Sequence, residues 1–344
     1  MARHLRAGIV GYGYMGEIRR QNINEHEALQ LVGVADPSPV AKLPSDVPLF
    51  STYGALLDAG VELLFVCTPN HVTPDAVVDA LDRGCHVFSE KPPGRNLGDI
   101  QRIVEADRRN PLAKLIFGFN HRYHPGITDA KSLIESGALG RILTVRGVYG
   151  KSGGVGFERS WRNQPEQGGG GILLDQGIHM LDLFRFFCGD FDEVVGFVGT
   201  THWPIPVEDN AMVLLRNKAG QIAHLHSSAT SWKHTFRLEL GLERGYLVVS
   251  GLLSKTGSYG RETLLVGRRP QSGEASALGN PREELTYYDT DPSWSTQVDQ
   301  FVGCILNDIP VTESTANDAL RVMEIVDAVY RDSRTLHAAR GACL

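Results

Sequence analysis

The chain has 344 residues, with 40 acidic and 34 basic side chains and a net charge of −6. At roughly 150 residues per domain this length predicts about two domains, which can fold on ordinary cores without a disulfide or metal. The acidity is spread along the chain without a basic stripe, so we expect no binding to nucleic acid or to an anionic membrane.

No apolar run reaches the roughly 18 residues of a membrane span, and the first residues lack a signal-peptide pattern. The five cysteines are odd in number, widely spaced and without a CxxC pair, at Cys67, Cys85, Cys188, Cys304 and Cys343. This pattern predicts neither a disulfide framework nor a zinc site. We therefore expect a cytoplasmic protein.

Short apolar strands alternate with helical segments from residue 5 to about 120. The strands are LRAGIV, LQLVGVAD, VELLFVCTP, GCHVFSEKP and KLIFGFN, and the clearest helical patterns are VTPDAVVDALDRG and LGDIQRIVEADRRN. Continuous apolar runs between helices indicate a parallel sheet that is covered on both faces. We predict an α/β, doubly wound domain over residues 1–120.

Longer segments that alternate apolar and polar residues follow after about residue 140. They include RILTVRGVYG, NAMVLLRN, QIAHLHSSATSW and HTFRLELGLERG, and a last helix is predicted after the cap residue Thr315. Alternation of period two indicates an antiparallel sheet with one covered face. We predict an α+β domain over residues 121–344. Apolar residues on both faces of two strands further predict a homodimer or homotetramer formed through this sheet.

Gly11, Gly13 and Gly16 form a G-x-G-x-x-G pattern between the first strand and a helix. Such a loop makes a tight turn and lets a pyrophosphate approach the backbone at the helix N-terminus. The predicted dinucleotide loop comprises Gly11, Tyr12, Gly13, Tyr14, Met15 and Gly16. The alternative is a strand–turn–helix unit whose glycines serve only packing.

Asp36 follows Gly16 by 20 residues at the end of the second strand. A carboxylate there accepts hydrogen bonds from the adenosine ribose and repels a 2′-phosphate. Residues 37–41 contain no arginine that would bind such a phosphate. The sequence therefore predicts NAD in preference to NADP, unless Asp36 is an ordinary cap.

The turn after the third apolar strand is also expected to contact the cofactor, because ligands bind at the carboxyl ends of parallel strands. Its residues are Cys67, Thr68, Pro69, Asn70 and His71. The alternative is that these are ordinary turn residues, with His71 as a helix cap.

Several further segments give the chain a family resemblance. Together with the glycine loop they are CTPN at 67–70, EKP at 90–92, GFNHRYHP at 118–125, WRNQPEQGGGGILLDQGIH at 161–179 and a terminal DALRVMEIVDAVYRDSRT. The chain resembles the glucose-fructose oxidoreductase, inositol dehydrogenase and rhizopine-catabolism (Gfo/Idh/MocA) family. That resemblance implies a Rossmann domain, a C-terminal domain on an open antiparallel sheet, and hydride transfer between a nicotinamide cofactor and a sugar or cyclitol carbon.

The resemblance also implies roles for individual residues. Lys91, Asp175 and His179 correspond to the family's catalytic trio, and Asn120 is expected beside the cofactor. Arg122 is expected near substrate. Trp161 and Arg162 resemble a pair that reaches the nicotinamide side of the site, although Trp161 is equally compatible with a core or interface position.

Asp175 and His179 are four residues apart in a segment that is apolar nearly all round, so they share one face of a buried helix. A histidine is suited to take the proton of an alcohol at neutral pH, and buried polar groups need partners. Asp175, His179 and Asp182 are therefore expected to line a polar cavity or to satisfy one another. The alternative is an Asp–His pair that only braces the domain junction.

Lys91 ends the fourth strand, and Pro92 and Pro93 keep it out of a helix. An ammonium fixed there stabilises alkoxide character on the reacting oxygen. The alternative is a solvated lysine. Glu90 is expected to hold Lys91 or to approach the nicotinamide carboxamide.

Tyr123 lies with Asn120, Arg122 and His124 where the first domain passes into the second, and is a further candidate for substrate binding. His121 and His124 are three apart, but no further ligands accompany them at a recognisable spacing, so no metal is predicted. His224 and His226 share one face of a strand, and we expect that face to lie near substrate or at an oligomer contact.

Glycine is over-represented, and ten of its 38 residues lie between Gly147 and Gly177. The run Gly168–Gly171 is interpreted as a close approach of the backbone to nicotinamide and substrate, or as a flexible loop. The leading function is an NAD-dependent sugar or cyclitol dehydrogenase. The alternatives are elimination or glycoside cleavage with transient NAD reduction, and a non-catalytic sugar or dinucleotide sensor.

Overall fold

The computed structural model describes residues 4–38, 43–254, 256–270 and 279–341, with side chains described as far as Ser333. Cys343 and positions 39–41, which entered the sequence predictions, lie outside these residues. The chain forms two compact units. The first comprises residues up to Phe119, Gln164–Gly169 and Trp294–Met323, and the second comprises Asn120–Asn163, Gly170–Ser293 and residues from Glu324 onward.

The strands are β1 (Leu5–Val10), β2 (Leu29–Ala35), β3 (Leu49–Phe50), β4 (Leu63–Val66), β5 (His86–Ser89), β6 (Leu115–Phe117), β7 (Ile142–Gly150), β8 (Glu193–Gly199), β9 (Asn210–Arg216), β10 (Ile222–Ser228), β11 (Thr235–Leu242), β12 (Gly245–Ser250), β13 (Glu262–Arg268) and β14 (Arg282–Tyr288). The α-helices are α1 (Tyr14–Glu25), α2 (Tyr53–Asp58), α3 (Thr73–Asp82), α4 (Leu97–Arg109), α5 (Pro125–Glu135), α6 (Pro165–Gly168), α7 (Ile178–Cys188), α8 (Ser293–Leu306) and α9 (Ala316–Gly341). Short 3₁₀ turns cover Asn120–Tyr123, Phe157–Arg159 and Trp161–Asn163, and a π-helical turn covers Leu173–Gly177.

The first unit is built on a parallel sheet. Within the described part of the chain its six strands follow the order β3-β2-β1-β4-β5-β6. Every pairing in this sheet is parallel, and all four residues of the central β4 are buried. Burial on both faces explains why these strands are continuous apolar runs. The predicted doubly wound sheet is confirmed.

Helix ends in the first unit follow the sequence signals. Asn96 accepts a hydrogen bond from the Asp99 amide at the start of α4, which ends in Arg108 and Arg109. Thr315 caps the start of α9, as the sequence predicts, and the Asp318 carboxylate accepts a hydrogen bond from the Thr315 amide in return. These side chains satisfy amides that have no partner within the helix.

The second unit contains a mostly antiparallel sheet, as predicted. Among the residues described, eight strands follow the order β14-β13-β12-β11-β7-β10-β9-β8. The pairing of β7 with β10 is parallel, which the sequence did not indicate, and the others are antiparallel. Helix α7 packs against β7 and β10.

One face of this sheet is exposed and partly apolar. Val195 pairs with Leu214, and Phe197 pairs with Met212, across β8 and β9. These four side chains are 48% to 56% exposed. None of the helices in the described ranges is both long enough and apolar enough to cross a bilayer.

Candidate functional site

The glycine loop of the first unit has the geometry of a phosphate-binding turn. Gly11 has φ +82°, and a Cβ there would lie 2.6 Å from the Cys67 carbonyl oxygen. Gly16 packs against the Gly11 carbonyl, whereas a Cβ on Gly13 would meet nothing within 4 Å. Gly11 and Gly16 therefore serve packing, while the exposed Gly13 leaves its backbone open at the N-terminus of α1. Tyr12 is buried, Met15 is half-buried and Tyr14 is exposed.

Asp36 ties the end of β2 to the glycine loop. Its Oδ2 accepts a hydrogen bond of 2.8 Å from the Tyr12 amide, and its Oδ1 accepts one of 2.9 Å from the Ser38 amide. The carboxylate is half-buried and keeps free acceptor capacity, because each oxygen has two lone pairs. These groups fit a dinucleotide, with the pyrophosphate at Gly13 and the ribose hydroxyls at Asp36.

The turn after β4 fixes a neighbouring segment of the same unit. The Asn70 side-chain amide donates a hydrogen bond of 2.8 Å to the Gly168 carbonyl, and the His71 amide donates to the Gln167 carbonyl. The hydroxyls of Thr68 and Thr73 lie 2.9 Å apart. The sequence predicted cofactor contact here, and the structure gives Asn70 a positioning role towards residues 164–169.

The Cys67 side chain in this turn is a protonated thiol. Burial raises its pKa well above the ordinary value, and the nearby Glu90 carboxylate raises it further. A thiol with a raised pKa is a poor nucleophile. Cys67 is therefore a packing residue in the wall of the turn.

Glu90 forms a buried ion pair that the sequence did not predict. Its Oε1 accepts a hydrogen bond of 2.7 Å from Arg19 Nε, and the two side chains are 10% and 0% exposed. The Arg19 guanidinium also lies 4.1 Å from the centroid of the Phe88 ring. Arg19 is four residues before the buried Ile23, so a charge on the apolar face of α1 was the available signal. Lys91 follows this pair, half-buried, at the carboxyl end of β5.

Asp175 and His179 of the second unit lie on consecutive helical turns. Asp175 is on the π-helical turn Leu173–Gly177, and His179 is in the first turn of α7. The sequence predicted one helix on which both residues share a face, and the π turn locally widens that helix. Single π-helical turns are frequent at functional sites.

Two cations flank the Asp175 carboxylate. Lys151 Nζ lies 3.4 Å from Oδ2, and Arg162 Nε lies 3.3 Å from Oδ1. The Arg162 guanidinium stacks on the Trp161 ring at 4.5 Å from its centroid. The structure therefore brings the predicted Trp161–Arg162 pair to Asp175, together with Lys151.

His179 is buried against a second imidazole. The rings of His121 and His179 have centroids 3.7 Å apart and planes inclined by 20°. The side-chain amide of Asn120 donates to Ser293 Oγ, which leaves its Oδ1 facing His121 Nδ1 at 3.2 Å. His121 Nε2 lies 2.9 Å from the Tyr149 hydroxyl.

These contacts determine which tautomer of His121 is favoured. Asn120 Oδ1 can only accept, so His121 Nδ1 carries a proton and donates it. In the neutral ring Nε2 then accepts from the Tyr149 hydroxyl. Burial raises the pKa of Tyr149 well above its ordinary value, and Tyr259 raises it further, so this hydroxyl keeps its proton. The sequence analysis weighed His121 only as a metal ligand and did not predict its contacts with Asn120 and Tyr149.

Arg122 and His124 each pair with a buried carboxylate. Arg122 donates to Asp182 through Nε at 2.8 Å and through Nη2 at 2.6 Å, and both side chains are almost fully buried. His124 Nδ1 lies 2.7 Å from Glu262 Oε2. The sequence predicted substrate contact for Arg122 and Tyr123. The structure gives Arg122 a buried bidentate partner, and Tyr123 is 7% exposed.

The glycine run before Asp175 packs against protein. Within the first unit, Gly169 has φ +85° and leaves no room for a Cβ beside the Arg95 backbone. Within the second unit, a Cβ on Gly170 would strike the Tyr330 hydroxyl, and one on Gly171 would strike the Glu208 carbonyl. The sequence interpreted this run as an approach to nicotinamide or a flexible loop, and the observed neighbours are protein atoms.

Glu208 anchors the start of the helix that carries Asp175, which the sequence did not predict. Its carboxylate accepts hydrogen bonds from the amides of Gly171 and Leu173, and from the Tyr330 hydroxyl at 2.8 Å. Burial raises the pKa of Glu208, and these hydrogen bonds act in the opposite direction. The position before β9 carries no recognisable sequence signal for this function.

His224 and His226 lie on the exposed face of the second sheet, opposite Leu214 and Met212. Burial lowers the pKa of His226, and the adjacent His224 lowers it further. Both histidines therefore belong to the apolar outer face rather than to the cluster around Asp175.

Comparison with known proteins places the chain among oxidoreductases. A family model described as "Oxidoreductase family, NAD-binding Rossmann fold" matches residues 5–118, and a "GFO/IDH/MocA C-terminal domain" model matches residues 127–248. Levoglucosan dehydrogenase of Pseudarthrobacter phenanthrenivorans is 27% identical over 198 residues, which are 50% of this chain and 50% of that protein. The match thus spans about half the length of that relative. Myo-inositol 2-dehydrogenase of Thermotoga maritima is 23% identical over 73% of this chain and 77% of its own.

Solved structures share the fold over nearly the whole chain. Levoglucosan dehydrogenase in complex with NADH and levoglucosan superposes with a TM-score of 0.84 at 21% identity, covering 97% of this chain and 98% of that one. The WlbA dehydrogenase from Bordetella pertussis, with NADH and UDP-GlcNAcA, gives 0.79 at 22% identity over 96% and 97%. At such identities these structures establish the fold alone. The two family models together match more than half of the sequence, and the chain belongs to the Gfo/Idh/MocA family of oxidoreductases.

Proposed function

We propose that this protein is an NAD-dependent dehydrogenase that oxidises a CH–OH group of a sugar, a sugar derivative or a cyclitol. The observation that carries the proposal is the pairing of a buried histidine, His179, with a carboxylate flanked by two cations, Asp175, on consecutive turns of one helix. The named activities of the relatives point to the same substrate class.

In this mechanism His179 takes the hydroxyl proton of the substrate as general base. A histidine has an unperturbed pKa of about 6.5, which suits proton transfer at neutral pH. Asp175 accepts a hydrogen bond from a second substrate hydroxyl and orients the substrate towards His179. Its two cations, Lys151 and Arg162, hold the carboxylate in place.

Lys91 hydrogen-bonds the reacting oxygen and stabilises the negative charge that develops there. Such electrostatic stabilisation acts most strongly in the transition state. Tyr123 and Arg122 support the substrate side of the site from buried positions. Arg122 does so as a positioning residue held by Asp182.

The cofactor proposed for the first unit is NAD, which when bound accepts the hydride that leaves the substrate carbon. The loop from Gly11 to Gly16 would bind the pyrophosphate, and Asp36 would bind the ribose. The turn from Cys67 to His71, with Glu90, Asn120, Trp161 and Arg162, would complete the cofactor surroundings. The carboxylate of Asp36 supports the preference for NAD over NADP.

The experiment that tests this function is a screen of the purified protein for NADH formation. Hexoses, cyclitols and nucleotide sugars are each supplied with NAD and with NADP. We expect His179→Ala to lower kcat by 10²-fold or more, since general acid–base catalysis contributes about 10²–10⁴-fold. The dissociation constant for NAD is expected to stay within twofold.

The matched control is His4→Ala, which removes an exposed imidazole of the first unit. A His179→Ala protein that keeps most of its activity would remove His179 from the mechanism. Bound NAD without NADH formation from any sugar or cyclitol would favour the sensor hypothesis instead.

We further propose that the protein is a cytoplasmic homodimer or homotetramer assembled through the outer face of its second sheet. The exposed apolar pairs Val195–Leu214 and Phe197–Met212 support this assembly. The described cysteines, which are all free thiols, support a reducing compartment. Light scattering that gives a monomer would contradict the assembly.

A further inference from the structure

A cluster of aromatic rings adjoins Lys151 in the second unit. We define the aromatic platform as Phe157, His202, Trp203 and Trp232. The ring centroids of Phe157 and Trp203 are 5.0 Å apart, and those of Trp203 and Trp232 are 6.2 Å apart. His202 meets the Trp232 ring edge-on at 4.8 Å. Trp232 is 61% exposed, so the platform presents aromatic surface to solvent.

The backbone holds Trp232 in an unusual conformation. Its φ is +54°, a left-handed value that is rare for a bulky residue. The Lys233 amide donates to the Ser231 carbonyl, which closes a three-residue turn around Trp232. Such strain persists only where surrounding contacts impose it, and it concentrates at binding sites. The fold therefore keeps a large indole exposed at a conformational cost.

Backbone and side-chain contacts connect the platform to Asp175. The Lys151 amide donates to the Ser228 carbonyl, and the Ser231 amide donates to the Lys151 carbonyl. Lys151 Nζ lies 3.4 Å from Asp175 Oδ2 and 6.0 Å from the centroid of the Phe157 ring. Lys151 therefore both fixes the Trp232 turn through its backbone and contacts the Asp175 carboxylate, which is proposed to bind the substrate.

Two contacts fix the position of the Trp203 ring. Its Nε1 donates a hydrogen bond of 3.0 Å to the Ala229 carbonyl, and Gly153 packs so closely on the ring that a Cβ would overlap it. A rigid aromatic side chain gives a large contact area while losing little conformational entropy on binding. The platform is thus preorganised before any ligand arrives.

We propose that the aromatic platform is a carbohydrate subsite that binds the second sugar ring of a glycoside whose first ring lies at Asp175 and His179. A pyranose ring has a face of C–H bonds that packs on aromatic rings, while its hydroxyls remain available to water and to His202. This proposal rests on the proposed function, because it assumes that Asp175 receives a sugar. It adds that the substrate is a glycoside rather than a free monosaccharide.

A nucleotide sugar is the competing ligand, because a base also stacks on an indole. Its diphosphate would need cations. Lys151 lies 3.4 Å from the Asp175 carboxylate and Arg159 lies 3.4 Å from the Glu158 carboxylate, while Lys233, next to Trp232, is exposed. An uncharged second sugar needs none of these cations, and the pairing of two of the three with carboxylates favours the glycoside.

The test measures binding to the NAD-loaded protein by titration calorimetry, with glucose, cellobiose, maltose and UDP-glucose as probes. We expect at least one disaccharide to bind about tenfold more tightly than glucose, which matches the size of one aromatic contact. Trp232→Gly is expected to abolish this tenfold difference and to leave glucose binding unchanged. Glycine adopts a positive φ without strain, so this variant keeps the turn while removing the ring.

Trp232→Phe, which keeps an aromatic ring, is expected to restore most of the preference. Leu112→Ala is the control, because it removes an apolar side chain that is 86% exposed in the first unit and belongs to no site described above. Equal binding of glucose and both disaccharides by the wild-type protein would overturn the proposal. So would a Trp232→Gly effect confined to UDP-glucose.

The binding measurement does not depend on turnover. A protein that forms no NADH from any sugar, yet prefers disaccharides through Trp232, would refute the dehydrogenase function and leave the subsite standing. A protein that oxidises sugars, and whose binding of disaccharides is unchanged by Trp232→Gly, would support the dehydrogenase function and refute the subsite.

Discussion

The imidazole rings of His121 and His179 stack face to face, 3.7 Å between centroids. His121 is held from both sides, by Asn120 at Nδ1 and by Tyr149 at Nε2. A neutral ring fixed in this way limits the rotation of His179. It also offers a π face to the imidazolium that forms when His179 takes a proton. We therefore assign His121 as a positioning residue for the proposed base.

Replacing His121 by alanine is expected to lower kcat about tenfold, the scale of one aromatic contact. KM for the sugar and the dissociation constant for NAD should change less than twofold, because His179 and Asp175 remain. His121→Phe keeps the stacked ring and is expected to recover most of kcat. Steady-state kinetics of both variants measure kcat and KM separately. Equal losses of kcat in His121→Ala and His121→Phe would contradict a role for stacking.

Replacing Asp36 by asparagine is expected to shift cofactor preference towards NADP. The amide keeps an acceptor for the Tyr12 amide but removes the negative charge that repels a 2′-phosphate. The ratio of kcat/KM for NADP to that for NAD should rise about tenfold or more, roughly 1.4 kcal/mol of discrimination. A wild-type protein that uses both cofactors equally would show that Asp36 does not select between them.

Removing Glu90 by Glu90→Ala is expected to destabilise the first unit by roughly 3 to 5 kcal/mol, because Arg19 is left charged and buried without its partner. Asp75→Asn provides the comparison, since it breaks an ion pair with Arg102 in which both side chains are more than half exposed. Exposed pairs contribute little to stability. Urea unfolding measures the free energy of unfolding of both variants. Equal losses in the two would contradict the prediction.

Glu208→Ala is expected to reduce stability by about 3 kcal/mol, because two backbone amides and the Tyr330 hydroxyl lose their shared acceptor. The π-helical turn that carries Asp175 loses its anchor, so kcat should fall as well. Glu193→Ala, which removes an exposed carboxylate, is the control and should leave the melting temperature unchanged. Thermal unfolding with parallel kinetics separates the two effects, and a fully active Glu208→Ala protein would contradict the anchoring role.

Hydrophobic periodicity predicted most of the scaffold. Strand β1 coincides with the predicted LRAGIV, and strands β7, β9, β10 and β11 fall within the alternating segments named above. The edge strand β14 was not predicted, because six of its seven residues are exposed and give no burial pattern. Likewise, the π-helical turn leaves no mark in composition, since its geometry follows from packing rather than from local propensity.

The sequence located those candidate residues whose position follows from spacing. Asp36 and the glycine loop were expected at the ends of neighbouring strands, and the hydrogen bond from the Tyr12 amide to Asp36 joins them there. Arg19, His121 and Glu208 act through partners that are distant in sequence, such as Glu90, 71 residues from Arg19. Spacing within one chain segment does not reveal such pairs, and only the fold brings them together.

The last helices have a consequence for the order in which the protein folds on the ribosome. The core around Phe65 and Phe88 includes Val298, Phe301 and Val302 of α8. That core remains open until these residues have been synthesised, roughly 10 to 40 seconds after residue 119 at about 5 to 20 residues per second. During this interval the nascent first sheet exposes the apolar surface that α8 later covers.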